Sequence, residues 1–273
     1  MRMRYGLTYE ESPDWQRYAN VLTGYRAGGN YWQATASLFR WHTETLNAWS
    51  MIAISATRIG CFVHYLLDTR AARDDEPSDT WIFTILLMSS LLHLPFTVGF
   101  HLFMPISAET CHLWRRLDVV AIFYTTAMVT FCSAWYTFPA CSFVVWMTVT
   151  VYIAQTSASK FWSYDVSQKL NPIRQAGFVG ATCMCAWLPM VIGSRWNRQE
   201  WTMSTTGATL VGVGLFGGGA AYGLGIPEVW SPGTFDTFGH SHQVMHVGIF
   251  MVKLGEFLYV YGRDFSARAL RTS

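Results

Sequence analysis

A chain of 273 residues that is 51% hydrophobic, 16% aromatic and only 13% charged lies far from the composition of a soluble domain, in which roughly a quarter of residues carry charge. So much apolar surface needs lipid, and the expectation is an integral, multi-pass membrane protein, with the organelle, plasma membrane or Golgi and endoplasmic reticulum, left open. A formal net charge of +2, with no basic cluster and no stacking pattern, excludes nucleic acid as a partner.

Residues 1–46 interleave Arg2, Arg4, Arg17, Arg26 and Arg40 with Tyr31, Trp32, Phe39 and Trp41, a mixture suited to a membrane interface. No cleavable signal sequence is expected before the first long apolar run. That run, about Asn47 to Leu67, has the roughly 20 residues a bilayer requires, although it contains Arg58 and His64. The acidic stretch from Asp68 to Asp79 ends it.

A second span is expected from about Trp81 to Met104, with His93, Thr97 and His101 on one stripe and Pro95 as a kink. Arg115 and Arg116 are expected in a short loop, with His112, before a third span over about Leu117 to Phe138 that Asp118 opens. A fourth covers about Cys141 to Ser157 and a polar connector follows from Lys160 to Pro172. The fifth, about Gln175 to Gly193, contains Pro189 and precedes the loop Ser194 to Trp201. In the sixth, about Thr205 to Gly225, Gly214-x-x-x-Gly218 and Gly219-x-x-x-Gly223 would let helices approach closely; no strand precedes and no Lys-Ser/Thr follows, which favours packing over phosphate binding. The seventh is about His242 to Tyr261. The fold expected is an all-α membrane protein, a seven-transmembrane-helix bundle over residues 47–262 with a short tail at 263–273. The cysteines at 61, 111, 132, 141, 183 and 185 lack any Cys-x-x-Cys pair and are expected as free, buried thiols.

His242 and His246 stand one helical turn apart on one face at the head of the last span. Alone, the pair reads more plainly as two hydrogen-bonded interior histidines than as metal ligands. Seven alternating spans, however, put His101, Asp118, His242 and His246 at the same membrane face. Three imidazoles with an open fourth position are the ligand set of a water-bearing zinc site, and Asp118 is then the carboxylate available to that water; a structural metal stapling the second span to the seventh uses the same ligands. Hydrogen bonding inside the bundle is the plainer role for His93, and an interfacial position for His240. Lys253 and Glu256, three residues apart, are expected to pair with each other or snorkel, the alternative being that either lines a ligand cavity, and Arg58 is expected to face the bundle or a headgroup. Basic residues on the N-terminal side (the five arginines of 1–46, Arg115, Arg116, Lys160, Lys169 and Arg174) outnumber those opposite (Arg70, Arg73, Arg195, Arg198, Arg263, Arg268 and Arg271). Positive residues favour the cytoplasm, so the N-terminus and the histidines are expected there.

Several separated motifs resemble one family. They are Leu22-Thr-Gly-Tyr-Arg26, Leu38-Phe-Arg-Trp-His-Thr-Glu-Thr-Leu-Asn-Ala-Trp-Ser50, Phe100-His101 followed by Leu117-Asp118, Ile226-Pro-Glu, Pro232-Gly-x-Phe-Asp236 and Ser241-His-Gln-x-x-His246. Together they are similar to the progestin and adipoQ receptor family, adiponectin-receptor-like proteins related to haemolysin III and distantly to alkaline ceramidases. The resemblance implies seven helices, zinc on His101, His242 and His246 at the intracellular side, Asp118 beside the metal's water, and a lipid or hormone-like ligand among membrane lipids. It implies a receptor signalling through lipid (ceramide) metabolism; the alternatives are a zinc-dependent ceramidase-type amide hydrolase and a scaffold with structural zinc. The chain departs from the family pattern at Asp118-Val-Val-Ala-Ile122, which lacks the usual Tyr and Gly, after His101, where Cys-His-Ser is usual, and at Met51, often a histidine.

Overall fold

The computed structural model describes residues 2–72, 79–163, 172–195 and 202–272. Among these, seven helices are long and apolar enough to cross a membrane: α2 (Thr45–Ala72), α3 (Thr80–Phe103), α4 (Ala108–Trp135), α5 (Ala140–Ser163), α6 (Pro172–Arg195), α7 (Met203–Leu224) and α8 (Ser241–Thr272). Large apolar side chains such as Val144, Val145, Val151 and Tyr152 of α5 point outward. That is the arrangement of a protein whose solvent is lipid rather than water.

Three sequence expectations need correction. Arg115 and Arg116 are not in a loop: α4 starts at Ala108, capped by Ser107, whose side chain accepts the Thr110 N–H, with Glu109 in the first turn. Asp118 therefore lies in the third turn rather than opening the helix, and His112 is helical too. Hydropathy detects only the part of a helix that lies in lipid, whereas a good N-cap lets it run on into polar residues. In the same way α8 continues to Thr272, so residues 263–272 extend the last helix instead of forming a tail. Most of the polar connector after α5, most of the loop after α6 and the centre of the acidic stretch after α2 fall outside the described residues.

Residues 2–44 are folded. Strands β1 (Arg4–Leu7) and β2 (Tyr25–Ala27) pair antiparallel, and Leu7, Val21, Tyr25 and Ala27 form a small core. A short helix, α1 (Tyr31–Ala36), follows, its N-cap Asn30 accepting from Gln33 N. This cap is tied to the end of α3: Trp15 Nε1 donates to the Met104 carbonyl at 3.1 Å and Gly28 N to the Pro105 carbonyl at 2.7 Å. Tyr31, Trp32, Phe39 and Trp41 stay exposed, as an interfacial segment requires.

The closest helix packing is between α7 and α8. A Cβ at Gly207 would lie 2.6 Å from the Gly255 carbonyl oxygen, and one at Gly214 would lie 2.3 Å from that of Gly248. Backbones this close are what small-residue seams permit. Away from the cap, Tyr65, Phe83, Leu86, Met190, Val211 and Tyr259 form the main core. All six cysteines are free, and Cys141 alone is exposed.

Candidate metal centre

His101 occupies the last turn of α3, and His242 and His246 the first turns of α8. The head of α8 is fixed by Glu228, which accepts Ser241 N at 2.6 Å and also the Ser241 hydroxyl. Their rings meet: centroid separations are 5.1 Å for His101 and His242, 5.2 Å for His101 and His246, and 5.0 Å for His242 and His246. One ring nitrogen from each lies within 4.8 Å of the others, and the residues are 1%, 8% and 3% exposed. Asp118 lines the same cavity but is not among the converging ligand atoms.

The surrounding hydrogen bonds decide which nitrogens converge. Glu44 Oε2 accepts from His101 Nδ1 at 2.7 Å. Ser50 gives its hydroxyl proton to the Asn47 carbonyl at 2.8 Å, so its oxygen accepts from His246 Nδ1 at 2.6 Å. With both Nδ1 atoms donating, the lone pairs of His101 and His246 reside on Nε2. His242 Nδ1 is buried with no hydrogen-bond partner among the described residues. Two oriented imidazoles, a third with an unsatisfied nitrogen and a carboxylate behind one of them fit a zinc ion well.

Glu44 was not singled out from the sequence. It lies in the long motif before α2, but no spacing rule connects it to a histidine 57 residues away. Burial alone would raise its carboxyl, yet the His101 hydrogen bond and the neighbouring imidazoles hold it below the ordinary carboxylate range. Asn47 Nδ2 adds a hydrogen bond at 2.8 Å. Arg26, in the first quoted motif, donates to the His101 carbonyl at 2.6 Å and also to Ser37. Asp236, in the motif before α8, accepts from Leu22 N at 2.8 Å and from the Thr23 hydroxyl at 2.6 Å. Gly24 takes φ +85°, and a Cβ there would strike Thr237 at 2.5 Å. The dispersed motifs are thus one structure, the cap clamped onto the loop that presents His242.

His93 is hydrogen-bonded inside the bundle as expected, its Nε2 donating to Asp118 Oδ1 at 2.9 Å. His240 is not interfacial: it is fully buried, donates to the Thr43 carbonyl at 3.2 Å and stacks on Tyr18, because the cap covers it. Lys253 and Glu256 do pair, and Arg58 joins the same carboxylate. A cavity of about 570 Å³ runs from Tyr18 and Arg17 past the histidines and Asp118 to Lys253 and Glu256. An apolar cleft between α6 and α7 shares Gly180, Leu215 and Gly219 with it.

Seven spanning helices around an inner cavity, with a buried histidine cluster at the capped end, define a heptahelical membrane protein. Sequence comparison narrows that class: the pattern described as haemolysin-III related matches residues 39–257, and the chain belongs to that family. It is 26% identical to an adiponectin receptor protein of Drosophila melanogaster, over 93% of this chain and 58% of that one. It is 26% identical to the ADIPOR-like receptor IZH2 of Saccharomyces cerevisiae, over 93% and 82%. It is 24% identical to progestin and adipoQ receptor-like protein 1 of Caenorhabditis elegans, over 94% and 59%. The chain thus spans little more than half of the fly and nematode proteins.

Proposed function

We propose that this chain is a receptor-like membrane protein of the adiponectin- and progestin-receptor kind whose histidine cluster holds zinc and hydrolyses a lipid amide of the ceramide type. The observation that carries the reading is the convergence of His101, His242 and His246 to within 4.8 Å on the wall of a cavity that Asp118 also lines. Bound there, zinc would polarise a carbonyl and lower the pKa of a water to about 7.

The chain's own residues supply the rest. Glu44 and Ser50 fix two imidazoles with their lone pairs inward. Asp118, held by His93, accepts a proton from the attacking water and hands it to the leaving amine. Val119, Ile122 and Ile249 offer an acyl chain apolar walls, and the apolar cleft between α6 and α7, which shares Gly180, Leu215 and Gly219 with the cavity, would give such a chain a way in from lipid.

Elemental analysis of the purified protein, with fatty-acid release from ceramides, tests this. Stoichiometric zinc that is lost in His242→Ala is expected, as is turnover that falls about a hundredfold to ten-thousandfold in Asp118→Asn while zinc is retained. Zinc-free wild type would sink the metal reading; full zinc without turnover across a broad lipid panel would leave a receptor with a structural zinc.

A further inference from the structure

The cavity does not end at the histidines. It continues along α8 past Ile249 and Val252 to Lys253 and Glu256. Apolar walls suit an acyl chain, but charged groups at its deep end do not. Arg58 of α2 donates through Nη2 to Glu256 Oε2, and the Lys253 ammonium lies 3.2 and 3.1 Å from the two oxygens of the same carboxylate. Two cations on one carboxylate leave a positive charge unmatched.

Among the described residues no carboxylate other than Glu256 pairs with Arg58 or Lys253. Asp118 lines the same cavity but is held by His93, and Glu109 stands in the first turn of α4, at the capped end. Asp68 and Asp264 belong to the opposite end, where both pair with Arg268; Asp264 is eight residues beyond Glu256, about 12 Å along the helix. Nε and Nη1 of Arg58 are buried and have no hydrogen-bond partner among the described residues. A surplus charge at this depth is costly unless something balances it.

We propose that Lys253, with Arg58 behind the shared Glu256, forms an anion subsite, and that the lipid this cavity takes carries a second, anionic group on its acyl chain, in the simplest case a carboxylate. This rests on the reading of the cavity as a lipid site, though not on the metal. Lys253 is seven residues past His246, so the anionic group lies about 10 Å from the histidine centre. The Lys253 side chain is 17% exposed, against 5% for Glu256 and 2% for Arg58, which makes the ammonium the group that meets the ligand. Arg58 acts through Glu256, as a positioning residue. A lipid with an uncharged tail leaves the charge unmatched, whereas a distal acid cancels it.

The test is equilibrium binding of dodecanedioate and dodecanoate to the purified full chain in detergent, read by displacement of a fluorescent fatty acid, with and without chloride. Dodecanedioate is expected to bind tighter by on the order of tenfold. That preference should vanish in Lys253→Met and survive in both Lys253→Arg and His242→Ala. Equal affinity of the two chains for wild type in both buffers overturns the subsite, as does a preference that persists in Lys253→Met. Equal affinity confined to the chloride buffer assigns the site to a free anion and overturns the lipid half of the proposal. If dodecanoate itself does not bind, the lipid reading of the cavity fails, and this proposal with it.

Discussion

Glu44 contributes no ligand atom to the histidine cluster, yet it sets the cluster's chemistry. Its carboxylate accepts a hydrogen bond from His101 Nδ1–H at 2.7 Å, which keeps the proton on Nδ1 and the lone pair on Nε2 and raises the basicity of that nitrogen. Glu44→Gln keeps the shape and an acceptor oxygen but removes the charge. The expected outcome is a folded protein whose zinc affinity falls by about 10- to 100-fold in competition with a chelator; unchanged affinity would refute the role. The histidines themselves were legible in the sequence, because i, i+4 spacing and span parity are periodic signals. Glu44, His240 and the Arg58 to Glu256 pair were not, because contacts between distant segments leave no local pattern. The sequence placed Lys253 beside Glu256 for the same reason in reverse: three residues apart on a helix is a local relationship.

At the scale of elements, the glycines of α7 divide into two groups that look alike in the sequence. Both Gly-x-x-x-Gly pairs were expected to pack, but a spacing gives a face, not the neighbour that face meets. Gly214 and Gly218 lie against Gly248 of α8, whereas a Cβ at Gly217 or Gly219 would meet nothing within 4 Å. An alanine inside a helix is favoured over glycine by roughly 1 kcal/mol when nothing opposes it. Gly217→Ala should therefore be neutral or mildly stabilising. At Gly248 the new Cβ would lie 2.6 Å from the Gly214 carbonyl oxygen, and this backbone cannot rotate away. Gly248→Ala should lose about 1–3 kcal/mol by overpacking. Thermal unfolding of both variants in one detergent measures the contrast, and a Gly248→Ala protein as stable as wild type would disprove the seam. The boundaries of α4 and α8 were misjudged for a related reason, since hydropathy marks the lipid and not the hydrogen-bonded ladder.

At the scale of the molecule, the sequence indicated seven spans and a shared face for the histidines, but it described the first 46 residues only by their interfacial character. Their fold depends on non-local contacts, such as Asp236 with Leu22 and Thr23, and on His42 within the cap. His42 donates through Nε2 to the Ser37 carbonyl at 3.1 Å, and its Nδ1 accepts the Glu44 N–H at 3.1 Å. A proton on Nδ1 would break the second bond. Burial, with the Arg26 charge adding, pushes its pKa down to about 3. The unfolded chain binds a proton at this ring below its ordinary pKa of about 6.5, and the folded one does not. The stabilisation is therefore complete above that value and is lost as pH falls towards 3. Replacing His42 by Asn should reduce the acid-side slope of stability by up to about 1.4 kcal/mol per pH unit; a slope that does not change would show that the ring is already exposed to protons.

Orientation is the remaining property of the whole molecule, and it determines which compartment the capped end of the cavity faces. The basic residues of the N-terminal side, Arg2, Arg4, Arg17, Arg26 and Arg40 with Arg115, Arg116, Lys160, Lys169 and Arg174, outnumber the seven near the opposite ends of the spans. Arg26 is buried against the His101 carbonyl, and Arg17 holds the carbonyls of Ser12 and Glu10. These two charges are committed to the cap, but the retention rule counts positive charge near the helix ends wherever it is later used. The cap is therefore expected in the cytoplasm and the end of α8 on the other side. Epitope tags at the two termini, probed in intact and permeabilised cells, decide the matter. An N-terminal tag that antibody reaches without permeabilisation would reverse the orientation, and the capped mouth of the cavity would then open to the exoplasmic side. The shared face of His101, His242 and His246 would stand in either case, because it follows from the alternation of the helices and not from their direction.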